Sequence, residues 1–149
     1  DRYIPIQGEI AFELIQKLRA KNTRFKDIFI ITPFTTVAYG FKKYMESISD
    51  DTVNWTKEDN KSSWLKDNIG TVHTFPGKEA KVVIYMLGCQ SDGSANGAIK
   101  WVNANNVNVA FTRAKEYVYV IGDATKWAEL NTNLAFAQRY LPVYILEDI

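Results

Sequence analysis

The stretch VNVAFTRAKEYVYVIGD, residues 107–123, changes character at its middle. Its first half is typical of the end of a helix, whereas YVYVI, residues 117–121, is the β-branched and aromatic run of a buried strand. Arg113 and Lys115 stand at the junction between the two halves. A helix that leads directly into a strand is one unit of an α/β domain, so this stretch predicts that fold class.

Other apolar runs predict three more strands. IFIITPF, residues 28–34, is typical of a buried strand that stops at Pro33, since proline has no amide hydrogen for the ladder. GTVHTF, residues 70–75, predicts a short strand, and VVIYML, residues 82–87, has the continuous apolar pattern of a central parallel strand. A last strand is predicted at residues 143–146.

Helices are predicted between these strands. The segment 9–20 is amphipathic, and a second helix carries an apolar stripe and begins at Thr35 or Thr36, either of which can cap it. The stripe residues are Val37, Phe41, Tyr44 and Ile48. Further helices are predicted at residues 101–115 and 125–140, and a loop at residues 89–98.

The alternation of strands and helices predicts a three-layer α/β/α domain with a mostly parallel sheet. Ligands of such sheets bind beyond the carboxyl ends of the strands. This rule directs attention to residues 33–35, 73–79 and 122–123.

Composition sets limits on the function. The 149 residues suit one domain, and the net charge of +1 gives no broad electrostatic surface for nucleic acid. Cys89 is the only cysteine, which favours a reducing compartment, and we expect a cytoplasmic protein without membrane contact. One histidine and one cysteine make a structural zinc site improbable, so no metal ligands are assigned. The sequence has neither a G-x-x-x-x-G-K-[ST] loop nor a dinucleotide-binding glycine motif.

The polar stretch at residues 50–68 predicts an exposed connection with one short helical turn near Trp64. Trp55 and Trp64 have two interpretations. They can stack on nucleic-acid bases, or they can cover part of the domain surface.

Two polar positions stand out on chemical grounds. A carboxylate beside a glycine turn, as in Gly77-Lys78-Glu79, can accept hydrogen bonds from ribose hydroxyls, or the turn can simply carry a solvated ion pair. Arg113 offers a planar, permanently charged donor set for phosphate oxygens. It can equally be a cation favoured by the dipole at a helix C-terminus.

The segments VHTFPGKEAKVVI, residues 72–84, and NVAFTRAKEYVYVIGD, residues 108–123, closely resemble motifs V and VI of superfamily 1 helicases. The resemblance is to the branch that includes RNA-surveillance and replication-associated helicases. IFIITPF resembles the motif IV region of that branch, and EIAFELIQKL, residues 9–18, resembles the helix before it. Together these segments cover about residues 8–123.

The resemblance implies the second of two RecA-like domains, with residues 1–149 as one domain cut from a longer chain. In this family ATP with Mg²⁺ is bound mainly by an N-terminal RecA-like domain, which this sequence lacks. The implied partners are that domain and single-stranded DNA or RNA. The isolated domain is therefore expected to hydrolyse no ATP.

By the same resemblance, Arg113 is the catalytic arginine finger that reaches the γ-phosphate. Gly77 and Glu79 are expected to contact the nucleotide, through the backbone and the ribose respectively. The residues expected near the nucleic acid are Thr71, His73, Thr32 and Pro33.

Three positions depart from the family pattern. Pro76 stands where the family usually has glutamine, Val37 replaces a glutamine after motif IV, and Asn106 replaces an arginine before motif VI. The alternative prediction is therefore a degenerate helicase relative that binds or regulates without unwinding.

Overall fold

The computed structural model describes residues 2–89 and 96–123, and within them four strands form one sheet. All pairings are parallel, and the strand order is β2-β1-β3-β4. The strands are β1 (Ile28–Ile31), β2 (Ile69–Gly70), β3 (Ala80–Met86) and β4 (Ala114–Ile121). The predicted parallel sheet is confirmed.

Helices cover both faces of this sheet. They are α1 (Pro5–Arg19), α2 (Thr35–Ser47), α3 (Asp50–Val53), α4 (Lys61–Asp67), α5 (Asn96–Trp101) and α6 (Ala104–Thr112). Alternate residues of a strand point to opposite faces, so Ile30 and Ile84 pack with α1, α2 and α4. Ile31 and Val83 pack with α5 and α6 on the other side. The predicted three-layer α/β/α architecture is therefore confirmed.

Two helix boundaries differ from the sequence prediction. The first helix begins at Pro5, four residues earlier than predicted, because proline is well suited to the first helical position. The helix predicted at residues 101–115 is α6, which begins only at Ala104 because the side chain of Asn103 accepts a hydrogen bond from the amide of Asn106, and it ends before β4. The separate helix α5 begins at Asn96, within the segment predicted as a loop, so that prediction was wrong for residues 96–98. Neither Thr35 nor Thr36 caps α2, whose N-cap is Phe34.

Most of the polar stretch at residues 50–68 is exposed, as predicted, and the helical turn predicted near Trp64 is α4. The prediction missed that Val53, Trp64 and Leu65 are buried in the core. Trp64 is only 4% exposed, and its indole nitrogen donates a hydrogen bond to the Ile28 carbonyl over 3.2 Å. Trp55 stacks on Phe25 at a centroid distance of 4.1 Å. The guanidinium carbon of Arg19 also lies over the Phe25 ring, 4.5 Å from its centroid. Of the two interpretations of these tryptophans, the structure supports surface covering.

The strand predicted at residues 70–75 is much shorter. Only Ile69 and Gly70 pair with β1, and Val72–Thr74 forms a 3-10 turn. Thr71 is consequently buried while His73 is exposed, so the two side chains do not lie on one strand face, as a strand over residues 70–75 would require. The side-chain hydroxyl of Thr74 accepts a hydrogen bond from the Thr71 amide, which closes the turn.

Some predictions lie outside the described residues. These are the helix at residues 125–140, the strand at residues 143–146 and most of the loop at residues 89–98. In the part of the chain that the structure describes, no helix combines the length and hydrophobicity needed to cross a bilayer.

The hydroxyl of Tyr85 gives a stability prediction. Tyr85 is fully buried on β3, and its hydroxyl has no hydrogen-bond partner among the described residues. An unsatisfied buried hydroxyl is costly, so Tyr85→Phe should leave the free energy of unfolding unchanged or raise it by about 1 kcal/mol. Urea denaturation at neutral pH measures this change. The exposed Tyr117→Phe is the matched control and should have no effect.

Burial also raises the pKa of the Tyr85 hydroxyl above its ordinary value of 10.0. In the unfolded chain the Tyr85 hydroxyl ionises at a lower pH than in the folded protein. The free energy of unfolding that depends on the protonated hydroxyl is therefore lost as pH rises above 10.0. Tyr85→Phe should therefore lose less stability than the wild type in that alkaline range. A loss of more than about 1 kcal/mol at neutral pH would instead show that the hydroxyl has a partner.

Candidate nucleotide and nucleic-acid site

The predicted nucleotide contacts lie at the amino ends of the strands. Gly77 and Glu79 precede β3, and Arg113 precedes β4. The Ala80 amide donates a 2.9 Å hydrogen bond to the Arg113 carbonyl, which places Glu79 and Arg113 beside each other. The sequence placed residues 77–79 beyond the carboxyl ends of the strands, where ligands of parallel sheets usually bind, and this was wrong. Residues 33–35 do follow the carboxyl end of β1, as predicted.

The segment before β3 is a tight turn. The Lys78 amide donates to the Phe75 carbonyl over 3.1 Å, and Gly77 has a φ of +69°. Proline followed by a residue with positive φ is the sequence signature of a type II turn, so Pro76 and Gly77 both suit their positions. No heavy atom lies within 4 Å of where a Gly77 Cβ would be, and Glu79 is exposed. The turn is open to an approaching ligand.

Gly77→Ala tests this turn. The added methyl meets nothing, but the left-handed conformation costs an L-residue about 1–2 kcal/mol, and the free energy of unfolding should fall by that amount. Gly97→Ala is the control, because Gly97 lies in α5 with equal space and no positive φ. That variant should be unchanged or slightly more stable in the same urea experiment. Equal losses in both variants would contradict the strain explanation.

Arg113 caps the C-terminus of α6 and is half-buried. Its Nε is buried without a hydrogen-bond partner, and none of the ion pairs within the described residues involves its guanidinium. Its position at the helix end agrees with the dipole interpretation. The dipole interpretation does not explain why the Nε donor is buried without a partner. Burying an unsatisfied donor costs about 1–3 kcal/mol, and more when the group is charged. A ligand that supplies acceptors would remove this cost.

A shallow pocket of about 440 Å³ adjoins Glu79 at the amino ends of β1, β2 and β3. We call it the amino-edge pocket. Its lining mixes both signs of charge, with Lys26, Lys78, Glu58 and Glu79 alongside amide and hydroxyl groups. The remaining lining residues are Arg24, Phe25, Phe29, Asp59, Asn60, Ser63, Trp64 and Asn68. Such a surface suits a polar ligand with several hydrogen-bonding groups.

A second pocket, of about 240 Å³, lies at the carboxyl ends of β1 and β2, and we call it the carboxyl-edge pocket. It brings together three of the four residues predicted near nucleic acid, Pro33, Thr71 and His73. The other lining residues are Arg2, Phe34, Thr35, Thr36, Val72 and Asn106. None of these described residues carries a carboxylate, so the lining does not repel an anion.

Thr32, the fourth residue predicted near nucleic acid, is outside this lining. Its side chain is fully buried, and its hydroxyl accepts a 3.3 Å hydrogen bond from the Phe34 amide. Thr32 therefore shapes the segment that follows β1, and its direct contact with a nucleic acid stays a prediction.

The N-terminus of α2 contributes a positive electrostatic potential to the carboxyl-edge pocket. The N-cap residue Phe34 has no side chain that could accept from the first amides of the helix. Thr35 and Thr36 begin the helix and line the pocket. Uncapped helix N-termini carry a partial positive charge that favours phosphate groups, so the pocket has the electrostatic character of an anion site.

The three departures from the family pattern have clear positions. Val37 is fully buried in α2 and has no polar side-chain group. Pro76 lies in the exposed turn before Gly77. Asn106 lines the carboxyl-edge pocket and is therefore placed for a polar contact.

Sequence reasoning missed Arg2, which lies in the carboxyl-edge pocket with its guanidinium 5.0 Å from the Phe34 ring centroid. It also missed the polar residues before β1 and β2 that line the amino-edge pocket. No local signal could have found them, because only the strand order brings these segments together.

The parallel sheet and the helical layers on both of its faces are those of a RecA-like α/β domain. The family model described as an AAA domain, AAA_12, matches residues 5–125, and the chain belongs to this family. Comparison with curated proteins finds no significant match. The family membership supports a nucleotide-binding, helicase-like type of domain.

Proposed function

We propose that this chain is the second RecA-like domain of an ATP-dependent superfamily 1 helicase, from the branch of RNA-surveillance and replication-associated enzymes. The observation that carries the proposal is the unpaired, half-buried Arg113 beside the open Gly77–Glu79 turn. By this proposal, a phosphate-binding cation and a ribose-binding carboxylate belong to neighbouring segments at the same end of the sheet, which the hydrogen bond between the Ala80 amide and the Arg113 carbonyl joins. The resemblance of residues 72–84 and 108–123 to motifs V and VI supports the same assignment.

At the amino edge, Arg113 would bind γ-phosphate oxygens and stabilise negative charge during phosphoryl transfer. The Glu79 carboxylate would accept hydrogen bonds from ribose hydroxyls, and the backbone at Gly77 would approach the nucleotide closely because no side chain covers it. These residues fit a nucleotide, since they offer an unpaired cation and an accessible carboxylate. Bound ATP with Mg²⁺ supplies the phosphoryl group whose transfer drives the cycle.

At the carboxyl edge, the single strand would cross the pocket lined by Pro33, Thr71 and His73. Hydroxyl, imidazole and backbone groups are suited to phosphate and sugar contacts, which position a strand without reading its sequence. The proposal therefore predicts little sequence preference. It leaves DNA and RNA as equal candidates.

The site needs a second domain. The sequence has no phosphate-binding loop, and among the described residues no such loop lies near Arg113. We propose that an N-terminal RecA-like domain of a longer chain supplies that loop and the main Mg²⁺ contacts. Closing of the cleft between the domains on ATP, and reopening after hydrolysis, would move them relative to each other along the strand. A single cysteine fits a cytoplasmic setting for this activity.

ATP hydrolysis by the full-length protein tests the proposal. Turnover is expected to rise when oligo(dT) or oligo(U) is added, and the chain of residues 1–149 alone should show none. Absence of strand stimulation in the full-length protein would contradict the helicase assignment. So would robust turnover by the isolated chain, because it would require a complete site within these residues.

The second candidate is a degenerate relative that binds single strands without unwinding them. The buried Val37 and the exposed Pro76 favour it, because neither can make the side-chain hydrogen bonds that glutamine makes at these positions. A strand-displacement assay separates the candidates. ATP-dependent release of a labelled strand supports the helicase, whereas strand binding without release supports the binding module.

A further inference from the structure

The carboxyl-edge pocket contains a cation that none of the helicase-like motifs includes. Arg2 precedes α1 and lies in the pocket lining with Thr71 and His73, which come from the segment after β2. Residues far apart in sequence thus meet at one edge of the sheet. The exposed guanidinium of Arg2 is the one side chain of fixed positive charge among the described lining residues.

The main chain at Arg2 is held in place. Its carbonyl accepts a 2.7 Å hydrogen bond from the Cys89 amide, in the segment after β3. The neighbouring Gly88 amide donates to the side chain of Gln7 over 2.8 Å. The first contact uses the backbone carbonyl of Arg2 and the second does not involve Arg2, so replacing the Arg2 side chain removes neither hydrogen bond.

The guanidinium itself is also positioned. Its central carbon lies 5.0 Å from the Phe34 ring centroid, within the range of a cation–π contact. Phe34 is half-buried and packs against the cores on both faces of the sheet, so the ring is a fixed platform. An arginine stacked in this way keeps its N–H donors free at the rim of the guanidinium plane.

We propose that Arg2 binds a backbone phosphate of the single strand in the carboxyl-edge pocket. The proposal rests on the proposed function and adds a phosphate-binding residue to it. Three observations combine to support it: a cation held over an aromatic ring, a described lining without carboxylates, and neighbouring hydroxyl and imidazole groups. A phosphate seated there would receive the bidentate donation that arginine makes to such groups.

The test measures binding of fluorescein-labelled oligo(dT) and oligo(U) to the full-length protein by anisotropy across a salt series. Arg2→Gln should weaken binding of both strands and lower the slope of log affinity against log salt by about 0.7, the value for one phosphate contact on a single strand. Arg2→Lys should restore the slope because it keeps the charge. Lys21→Gln removes an equal charge from the exposed turn after α1, outside both pockets, and should leave the slope unchanged.

The outcomes separate the two proposals. If the wild type binds neither strand, the nucleic-acid part of the proposed function fails and the role of Arg2 fails with it. If the wild type binds but Arg2→Gln retains the full salt slope, the role of Arg2 alone is overturned. A slope lowered equally by Arg2→Gln and Lys21→Gln would also overturn it, since the effect would then be one of net charge.

Discussion

Arg113→Ala in the full-length protein should lower strand-stimulated ATP hydrolysis by roughly 10³-fold or more, the range found for arginine fingers. The guanidinium has no hydrogen bond or ion pair within the described residues, so its removal breaks no polar interaction among them. Nucleotide binding should therefore change much less than turnover, because a finger acts chiefly on charge that develops in the transition state. Steady-state hydrolysis and binding of a fluorescent nucleotide measure the two quantities.

Two further variants sharpen this test. Arg113→Lys keeps the charge but loses the planar donor set, and it should recover only a small part of the activity. Lys115→Ala removes the exposed cation at the second residue of β4 and should remain close to wild type. Equal losses in Arg113→Ala and Lys115→Ala would indicate a general electrostatic effect. An unimpaired Arg113→Ala would end the assignment of this residue as a finger.

Trp64→Ala should lower the free energy of unfolding by about 3–5 kcal/mol, the usual cost of truncating a buried aromatic residue. Trp64 is almost fully buried and packs edge-on against Phe25 at a centroid distance of 4.9 Å. Its truncation also removes the hydrogen bond to the Ile28 carbonyl at the start of β1. Urea denaturation followed by circular dichroism measures the loss without relying on tryptophan fluorescence.

Trp101→Ala is the matched control for that measurement. Trp101 is the last residue of α5 and is 83% exposed, so truncation should change the free energy of unfolding by no more than about 0.5 kcal/mol. If Trp64→Ala were equally mild, residues 50–68 would behave as the exposed connection that the sequence predicted. The burial of Trp64 in the core would then be contradicted.

The layered fold was predictable because its central strands are apolar on both faces. The runs at residues 28–31 and 82–86 are buried along their whole length, and that pattern indicates a covered parallel sheet before any contact is known. Residues 50–68 could not be assigned in the same way. Their composition is polar, and two tryptophans decide their place by packing on Phe25, which is distant in sequence.

For the proposed site, the sequence named candidate residues but did not give their arrangement. The resemblance pointed to Glu79 and Arg113, but only the pairing of β3 with β4 makes them neighbours. The sequence placed Gly77 at the carboxyl ends of the strands, and this was wrong. The general rule concerns segments that follow a strand, whereas the Gly77 turn precedes β3 and lies at its amino end. Arg2 was out of reach, since its proximity to Phe34 depends on how the segment before α1 lies across the sheet.

The seven residues of β3 run from the Glu79 end of the sheet to the Gly88 end, a length of about 23 Å at roughly 3.3 Å per residue. Both neighbours of β3 pair with it in parallel, so this span is stiff. A displacement of the amino end of β3 is therefore transmitted to its carboxyl end, because the strand bends little. If the two pockets bind nucleotide and single-stranded nucleic acid as proposed, β3 couples them mechanically. Mutations that make β3 more flexible should then uncouple ATP hydrolysis from movement along the nucleic acid, while both ligands still bind.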